Sequence, residues 1–282
     1  MLEKYYQGLM NDPRDVRVDL HMHSNASDGT WSPEELVRHV KEAGIRIFAL
    51  TDHNTVAYVS RTAALAKTQG LFFIPGVEID SIHAGYTYHI LGLGIDVENS
   101  SLQLLLKDQE EKMAMRDKKA IAYLTSRYPQ VSAEDYDRYE DDRRRGGWKS
   151  LNYCIDKGLC TDYKEFFALF PEDSPLSEPP GFHPADEVIA IIKKAGGYAV
   201  LAHPGTGFYN PDYRAVLHDM LKMGIQGVEC YHIENSEEVT RYTRAFCMEH
   251  GLLITGGSDC HGSFVAKRRL GNPDVRLSDL VL

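Results

Sequence analysis

Seven short apolar runs, at 16–23, 46–53, 71–80, 87–95, 198–203, 227–232 and 252–261, recur along the chain, most of them separated by segments of helical periodicity. This alternation constrains the fold strongly, because parallel neighbouring strands need a crossover of a dozen or more residues, usually a helix. An α/β protein is expected, with its parallel strands sending their C-terminal ends to one face. The runs at 71–80 and 87–95 are the exception. Only Ser81 to Tyr86 separate them, with Gly85 as the turn signal, so they are expected to pair directly. Seven strands are one short of the commonest α/β barrel.

The helices carry start and stop signals. Ser32-Pro33-Glu34-Glu35 supplies an N-cap, a proline at the first helical position and acidic residues in the first turn; Leu36, Val37, Val40 and Ala43 then form an apolar stripe ending at Gly44. Similar helices are expected over about 184–195, 212–223 and 236–250, stopped by Gly196, Gly224 and Gly251. The stretch 101–181 reads differently, with a long charged helix, the cluster Glu140-Asp141-Asp142-Arg143-Arg144-Arg145, further helical pieces and a proline-rich exit. It is expected to be a helical insertion covering the barrel mouth, with residues 1–100 and 182–282 forming the barrel domain.

A net charge of -10 argues against a chain that coats nucleic acid or lies on a membrane surface, although a local basic rim would still serve a nucleotide substrate. Five cysteines without a CxxC pair, and no basic-then-apolar leader, lead us to expect the cytoplasm. No apolar run approaches the roughly 20 residues of a membrane span.

Most of the runs end in residues that bind metals. His21 and His23 close the first, Asp28 lies in the following loop, and His53, Glu78, His89, His203, Asp259 and His261 stand at or near the ends of others. A lone histidine at a strand end is more often structural, but nine such residues on one rim form a site. Nine donors exceed the needs of one ion and suit two or three. Imidazole and carboxylate without thiolate suit Mn, Fe or Zn. Cys260 alternates away from its ligand neighbours and is read as structural.

The ordered motifs Asp19-Leu20-His21-Met22-His23-Ser24, Thr51-Asp52-His53-Asn54, Gly76-Val77-Glu78-Ile79, Leu201-Ala202-His203-Pro204 and Gly257-Ser258-Asp259-Cys260-His261-Gly262 resemble those of the PHP (polymerase and histidinol phosphatase) family, from about residue 16 to 265. The resemblance implies a distorted (β/α)7 TIM-like barrel that holds two or three divalent ions and cleaves phosphoesters. Carried over, it gives His21, His23, Glu78 and Asp259 to a first ion, and makes Glu78 a bridge to a second that also takes His89 and His203. Asp28, His53 and His261 would hold a third. His89 is preferred to the nearby His83 because Tyr88-His89-Ile90-Leu91-Gly92-Leu93 is similar to the family's strand.

In such a site a hydroxide bridging two ions would attack phosphorus. Asp19 and Asp52, just before ligand histidines, are expected to orient an imidazole through its second nitrogen. His232 is the candidate to contact substrate and protonate the leaving group. Arg144, Arg145 and Lys149 are candidates to bind phosphate, at about the place where the family's Gly-Arg-Pro-His-like element is altered to Gly147-Trp148-Lys149-Ser150. Lys267-Arg268-Arg269 is a second basic run near the rim. Trp31 and Trp148 suit either base stacking or packing. The expected substrate is a small phosphorylated molecule, a nucleotide or oligonucleotide end ahead of a histidinol-phosphate-type ester. The alternatives are a metal-dependent amidohydrolase, disfavoured because no run ends in lysine, and a non-catalytic polymerase-associated module, disfavoured because every ligand position is filled.

Overall fold

The computed structural model describes residues 2–9, 15–171, 174, 176 and 181–282. Its centre is one seven-stranded sheet in sequence order: β1 (Arg17–Asp19), β2 (Ile45–Leu50), β3 (Phe72–His83), β4 (Tyr86–Leu93), β5 (Tyr198–Leu201), β6 (Gly227–Tyr231) and β7 (Leu253–Gly256). The expected pairing of the third and fourth runs is present. β3 and β4 form an antiparallel hairpin, β4 is also antiparallel to β5, and all other neighbours are parallel.

Alternation along the strands separates two apolar layers. In β2, Ile47 and Ala49 join a cluster with Val18, Leu20, Ile74, Leu91, Val200 and Leu253, whereas Phe48 and Leu50 pack with Leu36, Val37 and Val40 of helix α1 (Pro33–Glu42). The first cluster fills the barrel and includes Leu2, Tyr6 and Leu9 from the N-terminal segment. The α1 signals act as read: Ser32 and Glu35 form a reciprocal capping box and Pro33 opens the helix. Burying each of its three core side chains contributes about 1.5–3 kcal/mol.

The remaining elements are helix α2 (Val59–Thr68), α3 (Ser100–Thr125), α4 (Ala133–Arg138), α5 (Lys149–Asp156), α6 (Tyr163–Ala168), α7 (Ala185–Lys194), α8 (Tyr213–Lys222) and α9 (Glu237–His250). The first turns of α3 put Leu102, Leu105 and Leu106 into the cluster that α7, α8 and α9 form against β3–β6. Its last turns put Ile121 and Leu124 into a separate cluster with Tyr136, Leu151, Tyr153, Cys154 and Phe166 of α4, α5 and α6. One long helix thus joins two cores. The proline-rich exit lies largely outside the described residues.

β7 and β1 form no ladder, but the segments just beyond them are joined. Leu20 N donates to Gly256 O (3.1 Å), Asp259 N to His21 O (2.8 Å) and His23 N to Cys260 O (2.8 Å), and Met22 bridges Cys260 in parallel. The two sheet edges therefore meet at the rim. Glycine is required there, since a Cβ on Gly257 would stand 2.4 Å from the Cβ of His21. Met22 and Cys260 point together into the α1 layer, so the alternation that turns Cys260 away also turns His21 and His23 inward.

Candidate metal centre

Glu78, near the middle of β3, is fully buried and lies at the centre of five imidazoles. Its Oε1 is 3.0 Å from His89 Nδ1 and 3.1 Å from His203 Nε2; its Oε2 is 3.1 Å from His21 Nε2, 3.2 Å from His23 Nε2 and 3.3 Å from His53 Nε2. Asp259 Oδ1 adds a second carboxylate, 3.0 Å from His23 Nε2 and 3.5 Å from His21 Nε2. A third, Asp28, has Oδ2 3.2 Å from His261 Nε2 and 3.9 Å from His53 Nε2. All nine expected ligands thus gather on one rim.

Donor atoms of His21, His23, Glu78 and Asp259 converge within 4.8 Å of one another, as do those of His23, Asp28, His53 and His261, and those of His53, Glu78 and His89. The first group coincides with the expected first set. His23 also stands in the second group, and His53 accompanies Glu78 and His89 in the third, where His203 had been expected; His203 instead approaches the same Glu78 oxygen as His89.

His89 arrives by a different route from the one expected. Because β4 is antiparallel to its neighbours, its C-terminal end lies away from the rim, and His89 enters from mid-strand opposite Asp80. His83 is the last residue of β3 and faces Asp219 (3.2 Å), away from this cluster. His203 and Asp259 have positive φ (27° and 51°), a strained conformation for these residues that aims both side chains from the strand ends.

The donor set fits divalent cations. His23 Nδ1 and Nε2, His53 Nδ1, His203 Nδ1 and Asp259 Oδ1 are buried without a hydrogen-bond partner, although buried polar atoms are nearly always satisfied. Several lie close to carboxylates without hydrogen-bond alignment, as expected of ligand atoms that converge on a shared point. Burial disfavours ionisation of Glu78 and Asp259, but the surrounding histidines, with Arg268 beside Asp259, hold both carboxyls well below the usual range. Burial pushes His203 down to about 4, which leaves it neutral; burial also opposes a charge on His23, but Asp259 and Glu78 raise it to about 10.

The carboxylates expected to orient imidazoles do other work. Asp19 accepts backbone N–H bonds from Ser258 (2.9 Å) and Gly271 (3.1 Å), and Asp52 accepts from Ser24 N, Ser24 Oγ and Ser27 Oγ at 2.6–2.7 Å. Both pin loops because they sit where the backbone turns at the rim. The orienting residues are Glu229, whose Oε1 accepts from His21 Nδ1 (3.0 Å), and Asp80, 3.2 Å from His89 Nε2. The backbone carbonyl of Asp259 does the same for His261 Nδ1 (2.7 Å). A lone carboxylate inside the apolar run 227–232 was a readable sign of Glu229, and Asp80 follows Glu78 at the spacing that shares a face.

The predicted phosphate ligands are engaged within the insertion. Arg144 is paired with Asp142 (2.8 Å), Arg145 with Asp156 (2.9 Å), and Lys149 lies over the Tyr136 ring (4.7 Å). Of the second basic run, Lys267 pairs with Glu234 at the surface, whereas Arg268 turns inward onto Asp259. His232 is buried; its Nδ1 accepts from Glu234 N (3.1 Å) and its Nε2 lies 3.5 Å from Asp259 Oδ2. Trp31 stacks on His39 and Trp148 packs against Phe166.

A barrel rim bearing imidazoles and carboxylates in overlapping sets defines a hydrolase that works through divalent metal ions. The PHP domain family model matches residues 19–197, and the chain belongs to that family. It is similar to the 3',5'-nucleoside bisphosphate phosphatase of Chromobacterium violaceum, 27% identical over 262 residues and covering 92% of each chain. It is also similar to the 5'-3' exoribonuclease Rnm of Escherichia coli, 28% identical with 87% and 85% covered. Among solved structures, a protein of Bifidobacterium adolescentis assigned as a metal-dependent phosphoesterase aligns with TM-score 0.78 and 27% identity, covering 92% of each chain. A Chromobacterium violaceum structure described as an amidohydrolase, with bound sulfate and no metal, aligns with TM-score 0.76 and 26% identity over 94% and 98%. The chain is a metal-dependent phosphoesterase, a hydrolase of phosphoester bonds.

Proposed function

We propose that this enzyme hydrolyses a phosphate ester of a nucleotide or an oligonucleotide end. The observation that carries the reading is the buried Glu78, surrounded by five imidazoles and two further carboxylates on one rim. The naming of two relatives for nucleoside bisphosphate and RNA substrates supports the substrate class.

His21, His23, Glu78 and Asp259 would hold one ion, Asp28, His53 and His261 another, and Glu78 with His89 and His203, which both approach its Oε1, a third; Mn, Fe or Zn suits these donors. Bound ions would make water nucleophilic near neutral pH and offset charge on phosphoryl oxygens. The side chains supply the rest. Glu229 fixes the proton of His21 on Nδ1 and leaves Nε2 facing the site. The bond from Glu234 N to His232 Nδ1 leaves the ring hydrogen of His232 on Nε2, 3.5 Å from Asp259 Oδ2, where it can donate a hydrogen bond toward the centre.

We assign phosphate binding to two guanidiniums rather than to Arg144, Arg145 and Lys149. Arg268 reaches Asp259, and Arg116 of α3 lies in the field of Asp80 and Asp117; the Nε of each is buried without a partner. The insertion, 101–181, serves as the cover of the mouth. In support, Gly147 N donates to Asp28 O (2.8 Å) and Arg143 to Ala26 O (2.6 Å).

All five cysteines are unpaired and buried, and no helix among the described residues is long and apolar enough to cross a membrane; both suit the cytoplasm. Among the described residues none of the seven strands ends in lysine, which disfavours the amidohydrolase alternative. A phosphate-release screen of the metal-reconstituted protein tests the reading, with nucleoside 3',5'-bisphosphates, 5'-phosphorylated oligonucleotides, histidinol phosphate and an amide panel. Release from the nucleotide substrates supports it. Turnover of amides or histidinol phosphate alone would replace it.

A further inference from the structure

A groove of about 660 Å³ lies between the end of β6 and the outer face of α9, with Tyr231 and Pro273 in its lining. That volume is within the range of sites for small organic ligands. Arg241 and Arg244, three residues apart on α9, line it, and the Arg244 guanidinium lies 5.5 Å from the centroid of the Tyr231 ring. Neither arginine forms an ion pair among the described residues, and Glu237 is the one carboxylate in the lining. In a chain of net charge -10, two unpaired cations beside an aromatic ring make a local site for an anion that also stacks. His232 links this groove to the metal centre: it is among the lining residues, and its buried side chain places Nε2 3.5 Å from Asp259 Oδ2.

We infer that this groove holds the nucleotides that follow the scissile phosphate of a single-stranded oligonucleotide, with Arg241 and Arg244 on successive phosphates and Tyr231 beneath a base. Positive charge tracking a backbone, combined with an aromatic stacking surface, is the usual physical basis of single-strand binding. The placement also suits the leaving group. The leaving oxygen belongs to the remainder of the strand, and His232, which lines the groove, lies 3.5 Å from the Asp259 carboxylate of the metal centre. The inference rests on the nucleotide reading above and narrows it to substrates longer than one nucleotide.

The test compares the wild-type enzyme with the double variant Arg241→Ala/Arg244→Ala on a nucleoside 3',5'-bisphosphate and on 5'-phosphorylated oligoadenylates of two to five residues. The wild type is expected to gain in kcat/KM with length, and the double variant to lose about tenfold on the longer substrates, with the bisphosphate rate held within about twofold. The slope of log kcat/KM against log salt on the oligonucleotide should become shallower by about 1.4, two phosphate contacts at about 0.7 each. Equal loss on both substrates, or no loss on either, overturns the inference.

Binding of a fluorescent oligoadenylate to the metal-free protein gives a readout independent of turnover. Weaker binding by the double variant supports the groove, and unchanged binding overturns it. If the wild type releases phosphate from no nucleotide, the proposed function fails, and this binding comparison still decides on the groove.

Discussion

The Nδ1 of His21 stands 3.0 Å from Glu229 Oε1, and the other oxygen of that carboxylate accepts from the backbone N of His203 at 2.9 Å. Burial opposes a charge on Glu229, but His21 and His232 keep its carboxyl below the usual range, so it is ionised and can only accept. One side chain on β6 therefore orients ligands from both sides of the barrel. Glu229→Gln keeps the shape but weakens the acceptor; metal affinity is expected to fall about 10- to 100-fold, the usual cost of losing such a support. Competitive titration against a metal indicator checks this.

Metal binding should release protons. His23 is raised to about 10 and is protonated in the metal-free protein at pH 7, yet it must be neutral to ligate. Because protons leave as metal enters, apparent affinity rises with pH between about 6 and 8. Calorimetric titrations in buffers of different ionisation enthalpy measure the protons released per ion. A heat independent of buffer would contradict the expectation.

Arg268 compensates Asp259 in the metal-free protein and, on the present account, binds phosphate in the working enzyme. Arg268→Met removes the guanidinium partner of a buried carboxylate, which should destabilise the metal-free form by about 3 kcal/mol. Saturating metal should recover most of that loss, and kcat/KM should remain low. Denaturant unfolding with and without metal, alongside kinetics, separates the two effects.

Gly257→Ala tests the seam between the first and last strands. The added methyl would meet His21 Cβ at 2.4 Å and His21 N at 2.6 Å, and neither the ligand nor the backbone can yield without disturbing the centre. The variant is expected to lose several kcal/mol of stability, beyond the range of a typical surface change. Its thermal unfolding temperature and metal content should fall together.

Much of the fold was legible because strand and helix periodicities differ and each helix bore its own cap or glycine stop. The His21/His23 and Asp259/His261 pairs were legible because each lies beside an apolar run. The roles of Asp19 and Asp52 were not, because sequence proximity to a ligand does not reveal which backbone N–H groups a loop brings near. Arg268 was visible only as part of a basic run; which of three neighbours turns inward depends on the loop that follows β7. Arg144 and Arg145 looked available because their partners Asp142 and Asp156 are settled by the local turn and by α5 respectively.

The most direct measurement is phosphate release from a nucleoside 3',5'-bisphosphate by metal-reconstituted wild type and Glu78→Gln, with bound metal determined on the same samples. Glu78 faces five imidazoles, so its replacement should remove metal and lower kcat/KM by a factor of about 1,000 or more, the scale lost when a principal catalytic group is removed. Full activity in Glu78→Gln, or no phosphate release from a wild type carrying two or three ions, would contradict the account.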